Sequence, residues 1–168
     1  GKGTEFTITV SFPLAEPEEE ICFSEGDDVS FEGMRALLVE DNMVNMEIAQ
    51  MLLDQAGFLI ETAENGKIAV EMTEASEPGY YDVILMDIRM PNMNGVVATQ
   101  RIQADYPNVQ VIVLTTFDDS DYILNAINHG ASGYLLKDIG ATAIIDAVKN
   151  AYAGDTILPA KIAQRIAA

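Results

Sequence analysis

From residue 34 onward, short continuous apolar runs alternate with longer segments whose apolar residues recur at helical spacing. The apolar runs lack the two-residue alternation of a strand with one solvent-exposed face, which indicates strands that are covered on both sides. Turn-forming residues, among them Gly57, Asn65-Gly66 and Pro78-Gly79, separate the segments. The pattern predicts strands at residues 35–39, 58–63, 82–87, 109–115 and 132–136, and helices at residues 43–56, 67–77, 95–105, 118–129 and 139–153.

Strand and helix alternate five times in this prediction. Such an order predicts an α/β fold, a doubly wound three-layer sandwich around a parallel sheet. Because the crossovers between parallel strands are right-handed, the carboxyl ends of all strands lie along one edge of the sheet. Open sheets of this class bind their ligands in the crevice at that edge. We therefore expect the functional residues there.

The two ends of the chain follow different patterns. Residues 5–12 alternate polar and apolar side chains, which predicts a half-buried strand that Pro13 ends. Residues 15–33 are acidic and aperiodic, which predicts a solvated linker. Pro159 opens a short predicted helix near the C-terminus. We expect four segments, namely an extension strand at 1–14, a linker at 15–33, a folded domain at 34–155 and a C-terminal helix at 156–168.

Charge and cysteine content narrow the class of partner. The 168 residues include 27 acidic and 9 basic ones, which gives a net charge of −18. This charge repels nucleic acid and anionic membranes, so both are disfavoured as partners, while a bound divalent cation is favoured. The single cysteine, Cys22, excludes an internal disulfide, and no apolar run is long enough to span a bilayer. With neither an initiator methionine nor a signal peptide, we expect a cytoplasmic segment of a longer protein.

Polar residues occupy the carboxyl ends of four predicted strands: Glu40 and Asp41 follow the first, Asp87 ends the third, Thr115 ends the fourth and Lys137 follows the fifth. Three neighbouring carboxylates raise one another's pKa unless a cation neutralises them. Oxygen ligands suit Mg²⁺, with Mn²⁺ as an alternative, and no His or Cys is near enough in sequence to favour zinc. The set predicts a Mg²⁺-assisted phosphoryl acceptor in which Asp87 is the nucleophile. Lys137 would neutralise charge on the transferring group, and Thr115 would donate a hydrogen bond to it.

Several motifs occur in a fixed order along the chain: Leu38-Val39-Glu40-Asp41-Asn42, Leu85-Met86-Asp87-Ile88-Arg89-Met90-Pro91 with Gly95, Leu114-Thr115-Thr116, and Gly133-Tyr134-Leu135-Leu136-Lys137. Over residues 34–153 they resemble the receiver domain of two-component response regulators, the CheY-like family. The resemblance implies a flavodoxin-like (βα)5 fold whose parallel sheet has the strand order 2-1-3-4-5.

The resemblance also implies a role for each matching position. Asp87 matches the phosphoacceptor, and Glu40 and Asp41 match the acidic pair that binds Mg²⁺. Arg89 matches the residue whose backbone carbonyl completes the metal site, and Lys137 matches the lysine of the family.

Two further positions match the conformational switch of the family. Thr115 matches the switch hydroxyl, and Tyr134 matches the switch aromatic, whose ring moves inward on phosphorylation. The resemblance implies a histidine kinase or phosphotransfer protein as phosphodonor, and a homodimer is compatible with the sequence. It implies no enzyme activity beyond autophosphorylation from small phosphodonors and slow self-dephosphorylation.

The two halves of the chain resemble different branches of the family. Glu40-Asp41-Asn42-Met43-Val44-Asn45 is typical of receivers in hybrid histidine kinases, and residues 1–14 resemble the last strand of a kinase ATP-binding domain. Lys137-Asp138, together with residues 114–119 and 130–134, is similar to the NarL/LuxR branch. A natural hybrid, an engineered chimera and a cloning product all fit such a mosaic. ATP binding is not implied, because the other motifs of that kinase domain are absent.

Three alternative functions remain. A haloacid-dehalogenase-like phosphatase also uses a strand-end Asp with Mg²⁺, but it places a second Asp as general acid two residues later, where this chain has Arg89. A flavodoxin-like cofactor binder is disfavoured because three carboxylates repel a flavin phosphate. A degenerate receiver that acts only as an interaction scaffold is disfavoured because every residue needed for phosphorylation is present.

Overall fold

The computed structural model describes residues 31–115, 120–137 and 141–156. Strands and helices alternate along them in the order β1 (Arg35–Val39), α1 (Met43–Gln55), β2 (Leu59–Ala63), α2 (Gly66–Ala75), β3 (Val83–Asp87), α3 (Gly95–Asp105), β4 (Gln110–Thr115), α4 (Ser120–Asn128), β5 (Gly133–Leu136) and α5 (Ala141–Tyr152). All four strand pairings are parallel, and the sheet order is β2-β1-β3-β4-β5. The predicted fold class and strand order are confirmed.

The central strands are buried on both faces, as their uninterrupted apolar sequences predict. On one face of the sheet, Leu38 and Leu85 pack with Leu53 of α1 and Val148 of α5. On the other face, a second cluster joins β1 and β3 to α2 and α3. A third cluster links α4 to β4 and β5. Helices therefore cover both faces and leave the carboxyl edge of the sheet for the site.

The folded unit extends further toward the N-terminus than the sequence predicted. Phe31, which we assigned to the solvated linker, is only 4% exposed and stacks on Phe58 with ring centroids 4.7 Å apart. Its apolar ring completes the core cluster beneath α1 and α5. The predicted start of the folded domain at Met34 is therefore too late.

The turn predicted at Asn65-Gly66 is also a helix start. Asn65 is the N-cap of α2, where its side chain accepts a hydrogen bond from the backbone N–H of Ile68 at 3.0 Å, and Gly66 is the first helical residue. The sequence pattern of Asn before Gly favours a turn, but the side-chain oxygen of Asn equally satisfies a free N–H in the first turn of a helix.

Several sequence predictions lie outside the described residues. They are the extension strand at 1–14, most of the linker at 15–33, Cys22 and the C-terminal helix beyond residue 156. Within the described ranges, none of the helices combines the length and apolar character that crossing a bilayer requires.

Candidate functional site

The register of the sheet brings the predicted strand-end residues to one edge. Val39 pairs with Met86, so Glu40 and Asp87 follow at the same level on neighbouring strands. Asp87 in turn pairs with Leu114 on β4. Lys137 follows β5 directly, on the other side of β4. The parallel topology alone therefore explains why residues far apart in sequence converge here.

Three carboxylates form a compact cluster at this edge. Ligand oxygens of Glu40, Asp41 and Asp87 all lie within 4.8 Å of one another. Glu40 and Asp87 are buried, whereas Asp41 is exposed. An all-oxygen donor set with one solvent-exposed member fits a hard divalent cation that retains some of its water. The cluster could therefore hold Mg²⁺, and its three carboxylates are among the residues that the sequence predicts as ligands.

The ammonium of Lys137 inserts between two of these carboxylates. Its Nζ forms an ion pair with Asp87 Oδ2 at 3.2 Å and a closer one with Glu40 Oε2. The Lys137 side chain is 15% exposed, so this contact is shielded from bulk solvent. One fixed positive charge thus partly neutralises the cluster.

Asp87 is held in place by its backbone surroundings. The backbone N–H of Ile88 donates to Asp87 Oδ1 at 2.8 Å. Burial raises the pKa of the Asp87 carboxyl above its usual value; the charge of Glu40 acts in the same direction, while Lys137 and the Ile88 N–H oppose the shift. The Lys137 ammonium and the Ile88 N–H therefore partly offset the effect of burial, which disfavours the charged form of the Asp87 carboxyl.

Glycine at position 95 lets α3 begin directly against Asp87. A Cβ built on Gly95 would clash with the carbonyl oxygen of Asp87 and lie 2.9 Å from its carbonyl carbon. The N–H of Gly95 donates to the carbonyl of Ile88 at 2.9 Å, which closes the loop between β3 and α3. Gly95 belongs to one of the motifs that resemble the receiver family, but the sequence pattern predicted no role for it. Its close approach to Asp87 depends on tertiary packing, which no local pattern reveals.

The start of α1 supports Glu40. The side chain of Asn42 accepts hydrogen bonds from the N–H groups of Val44 and Asn45, and the backbone N–H of Asn42 donates to Glu40 Oε1 at 3.1 Å. This capping role of Asn42 was not predicted from the sequence. The available signal was Asn immediately before a segment of helical periodicity, which is a typical N-cap.

The remaining predicted site residues occupy different environments. Arg89 is exposed in the loop that directly follows β3. Tyr134 is fully buried on β5, in the cluster with Ile88 and Val113. Thr115 ends β4 and pairs with Leu136, while its side chain lies outside the described part of the structure.

The chain is similar to a known protein family and to individual regulatory and sensor proteins. The family model of the response regulator receiver domain matches residues 36–149. The transcriptional regulatory protein LnrK of Bacillus subtilis is 47% identical over 104 residues, which are 62% of this chain and 46% of LnrK. The aerobic respiration control sensor protein ArcB of Escherichia coli is 32% identical over 154 residues, 89% of this chain and 19% of ArcB. The chain thus spans about half the length of LnrK and about a fifth of ArcB.

A solved structure agrees with the sequence comparisons. The crystal structure of a LuxR-family two-component response regulator from Aurantimonas superposes with a TM-score of 0.73 at 25% identity. The match covers 81% of this chain and 96% of that one. Relatives of both expected kinds, a sensor protein and a LuxR-family regulator, are therefore among the proteins that this chain resembles.

Proposed function

The chain belongs to the response regulator receiver domain family of two-component signalling, and we propose that Asp87 is its phosphoacceptor. The observation that carries the proposal is the position of Asp87, which is 7% exposed at the end of the central strand β3 and ion-paired to Lys137 within a carboxylate cluster. A buried carboxylate beside a fixed cation is suited to attack an anionic phosphoryl group, because the cation offsets the repulsion between the two.

The proposed transfer uses a phosphohistidine of a kinase or phosphotransfer protein as donor. One Asp87 carboxylate oxygen forms a bond to phosphorus while the phosphorus–nitrogen bond breaks. The imidazole leaves with the bonding electrons and takes up a proton, and Asp87 becomes an acyl phosphate. Lys137 already contacts the Asp87 carboxylate and stabilises negative charge on the transferring group.

The carboxylate cluster is the proposed Mg²⁺ site. Glu40, Asp41, Asp87 and the backbone carbonyl of Arg89 would hold the ion, with Mn²⁺ as an alternative. The bound ion would supply positive charge that neutralises the phosphoryl oxygens during transfer. Among the described residues, the Lys137 ammonium contacts both Glu40 and Asp87 and offsets part of their charge.

Phosphorylation would act as a switch and not as a step of enzymatic turnover. We propose that the acyl phosphate favours the conformation in which Thr115 has turned toward the phosphoryl group and the Tyr134 ring lies inward, and so reshapes the surface near α4, β5 and α5. The Tyr134 ring is already buried in this structure, so phosphorylation would stabilise that position of the ring. Arg89 stands where a turning-over phosphatase of the dehalogenase type would need an acid. The output is a partner or another domain of the same protein. We also propose a cytoplasmic location for the domain, whose predicted C-terminal bound is residue 155. The reason is that the chain has a single cysteine and therefore no internal disulfide, which suits a reducing compartment.

Intact-protein mass spectrometry after incubation with acetyl phosphate and Mg²⁺ tests this proposal. We expect one added phosphoryl group, which Asp87→Asn and EDTA each abolish. Asp54→Asn, at an exposed position on α1, is the matched control and should be phosphorylated like the unmodified protein. Equal phosphorylation of the Asp87→Asn variant would contradict the assignment of the acceptor.

A further inference from the structure

We propose that Asn45 is a positioning residue that orients the Glu40 carboxylate for divalent cation binding. The inference rests on the proposed function, because it concerns the same metal site. Asn45 lies in the first turn of α1, and it belongs to none of the strand ends that supply the site residues.

The two oxygens of Glu40 have separate partners. Oε1 accepts hydrogen bonds from the backbone N–H of Asn42 at 3.1 Å and from the side-chain amide of Asn45 at 3.4 Å. Oε2 contacts only the ammonium of Lys137 among the partners found in the described residues. The Glu40 side chain is 6% exposed, so water contributes little to holding either oxygen. The carboxylate plane is therefore set by the start of α1 on one side and by Lys137 on the other.

The first turn of α1 is rigid enough to present the Asn45 amide. The Asn42 side chain accepts the backbone N–H groups of both Val44 at 3.0 Å and Asn45 at 3.2 Å. This cap fixes the backbone of residue 45 relative to the strand end that carries Glu40. A short side chain with an amide donor then reaches Glu40 Oε1, whereas alanine offers no donor and aspartate would add a fourth carboxylate.

Because each Glu40 oxygen has its own partners, loss of the Asn45 donor should affect cation binding. With Oε1 occupied by N–H donors, Oε2 is the oxygen that faces Lys137 and, through it, Asp87. Loss of the Asn45 donor leaves one hydrogen bond to hold Oε1, and the carboxylate samples orientations that do not suit the cluster. Hydrogen-bonding partners of metal ligands typically change affinity by about 10- to 100-fold. Since the Asn45 contact is long, we expect about tenfold, at the lower end of that range.

Asn45 is well placed for a clean test because its side chain is exposed. Replacing it removes no buried apolar contact, so the stability of the fold should change little. Gln55 is the matched control, since it is an exposed amide at the opposite end of the same helix.

The experiment is a Mn²⁺ titration of the complete chain, in which electron paramagnetic resonance measures free Mn²⁺. We expect Asn45→Ala to raise the Kd about tenfold. Gln55→Ala should leave the Kd unchanged, and Asn45→Gln, which keeps the amide donor, should recover most of the lost affinity. Thermal unfolding without divalent cation is measured on the same variants, and Asn45→Ala should match Gln55→Ala.

The outcomes separate the two proposals. If the unmodified protein binds no Mn²⁺, the metal site of the proposed function is wrong and Asn45 has nothing to position. If the unmodified protein and Asn45→Ala bind Mn²⁺ equally, the role of Asn45 is wrong while the metal site stands. If Asn45→Ala weakens binding but also unfolds at a clearly lower temperature than Gln55→Ala, its role is structural and the positioning proposal is overturned.

Discussion

The absence of a side chain at position 95 is as important for the site as any charged group. Because a Cβ there would overlap the backbone of Asp87, either α3 or the end of β3 must move in Gly95→Ala. We expect a loss of about 1–3 kcal/mol in the free energy of unfolding, as is typical of overpacking. Displacement of Asp87 should also lower phosphorylation by acetyl phosphate.

Urea unfolding and the mass assay together check this prediction. Val97→Ala is the control, because Val97 is a partly exposed residue of the same helix. A Gly95→Ala variant that is as stable and as readily phosphorylated as Val97→Ala would show that the close approach to Asp87 is unimportant.

Glu61 is an ionisable group whose surroundings predict a pH dependence of stability. The hydroxyls of Tyr80 and Tyr81 donate to its two carboxylate oxygens at 2.7 and 2.6 Å. The hydrogen bonds from Tyr80 and Tyr81 hold the pKa of Glu61 below its ordinary value of 4.5, partly opposed by burial and aided by the charge of Arg35. Since the folded-state pKa is the lower one, Glu61 stabilises the fold above about pH 4.5, and this contribution is lost as the pH falls through the folded-state value.

We therefore expect Glu61→Gln to be less stable than the unmodified protein at pH 7, by about 1 kcal/mol or less because the group is partly exposed to solvent. The difference should shrink in urea titrations as the pH is lowered to about 3. Glu47→Gln, at an exposed position of α1, should show no such trend. A difference for Glu61→Gln that is the same at every pH would contradict this account.

Sequence reasoning located the charged residues of the site but not the groups that orient them. Glu40, Asp87 and Lys137 could be predicted to meet because each directly ends or follows a strand, and parallel topology fixes where strand ends lie. The hydrogen bond from Asn45 to Glu40 depends on the rotamers of two side chains and on the exact start of α1. Periodicity contains no information about either.

Among the helices, asparagine caps recur at the ends nearest the site. Asn42, Asn65 and Asn94 each accept a backbone N–H of the first turn of α1, α2 and α3, respectively. These helices start from the loops at the carboxyl edge of the sheet, so their caps also shape the loops around the carboxylate cluster. Predicted helix and strand ends lie within two residues of the observed ones where the structure describes them. Apolar periodicity is therefore a good guide to where an element lies, whereas the cap determines its first residue.

Removal of one such cap should cost stability without removing the helix. Asn94 accepts the N–H of Val97 at 3.0 Å, so Asn94→Ala leaves that donor to water. We expect a loss of about 1 kcal/mol in the free energy of unfolding, measured in urea. Asn94→Ser restores a side-chain acceptor and should recover most of the loss. If Ala and Ser are equally destabilising, the side-chain hydrogen bond is not the source of the effect.

For the chain as a whole, the negative charge and the carboxylate cluster both favour the binding of divalent cations. A net charge of −18 attracts divalent cations to the entire surface, and the cluster adds one position where three carboxylates converge. The two effects differ in their dependence on particular residues. Cation binding through the overall charge changes little when one acidic residue is removed, whereas cation binding at a specific site depends on each of its ligands.

Thermal unfolding with Mg²⁺ distinguishes the two effects. A cation that binds only the folded protein stabilises it by mass action, by about 1.4 kcal/mol at ten times the Kd. We expect Mg²⁺ to raise the midpoint of unfolding above that in NaCl of the same ionic strength, and Asp41→Asn to remove most of this increment. Asp54→Asn, which removes an equal charge from an exposed position on α1 outside the cluster, should retain it. If both variants lose the same small fraction, the stabilisation comes from the overall charge, and the carboxylates at the sheet edge hold no cation of their own.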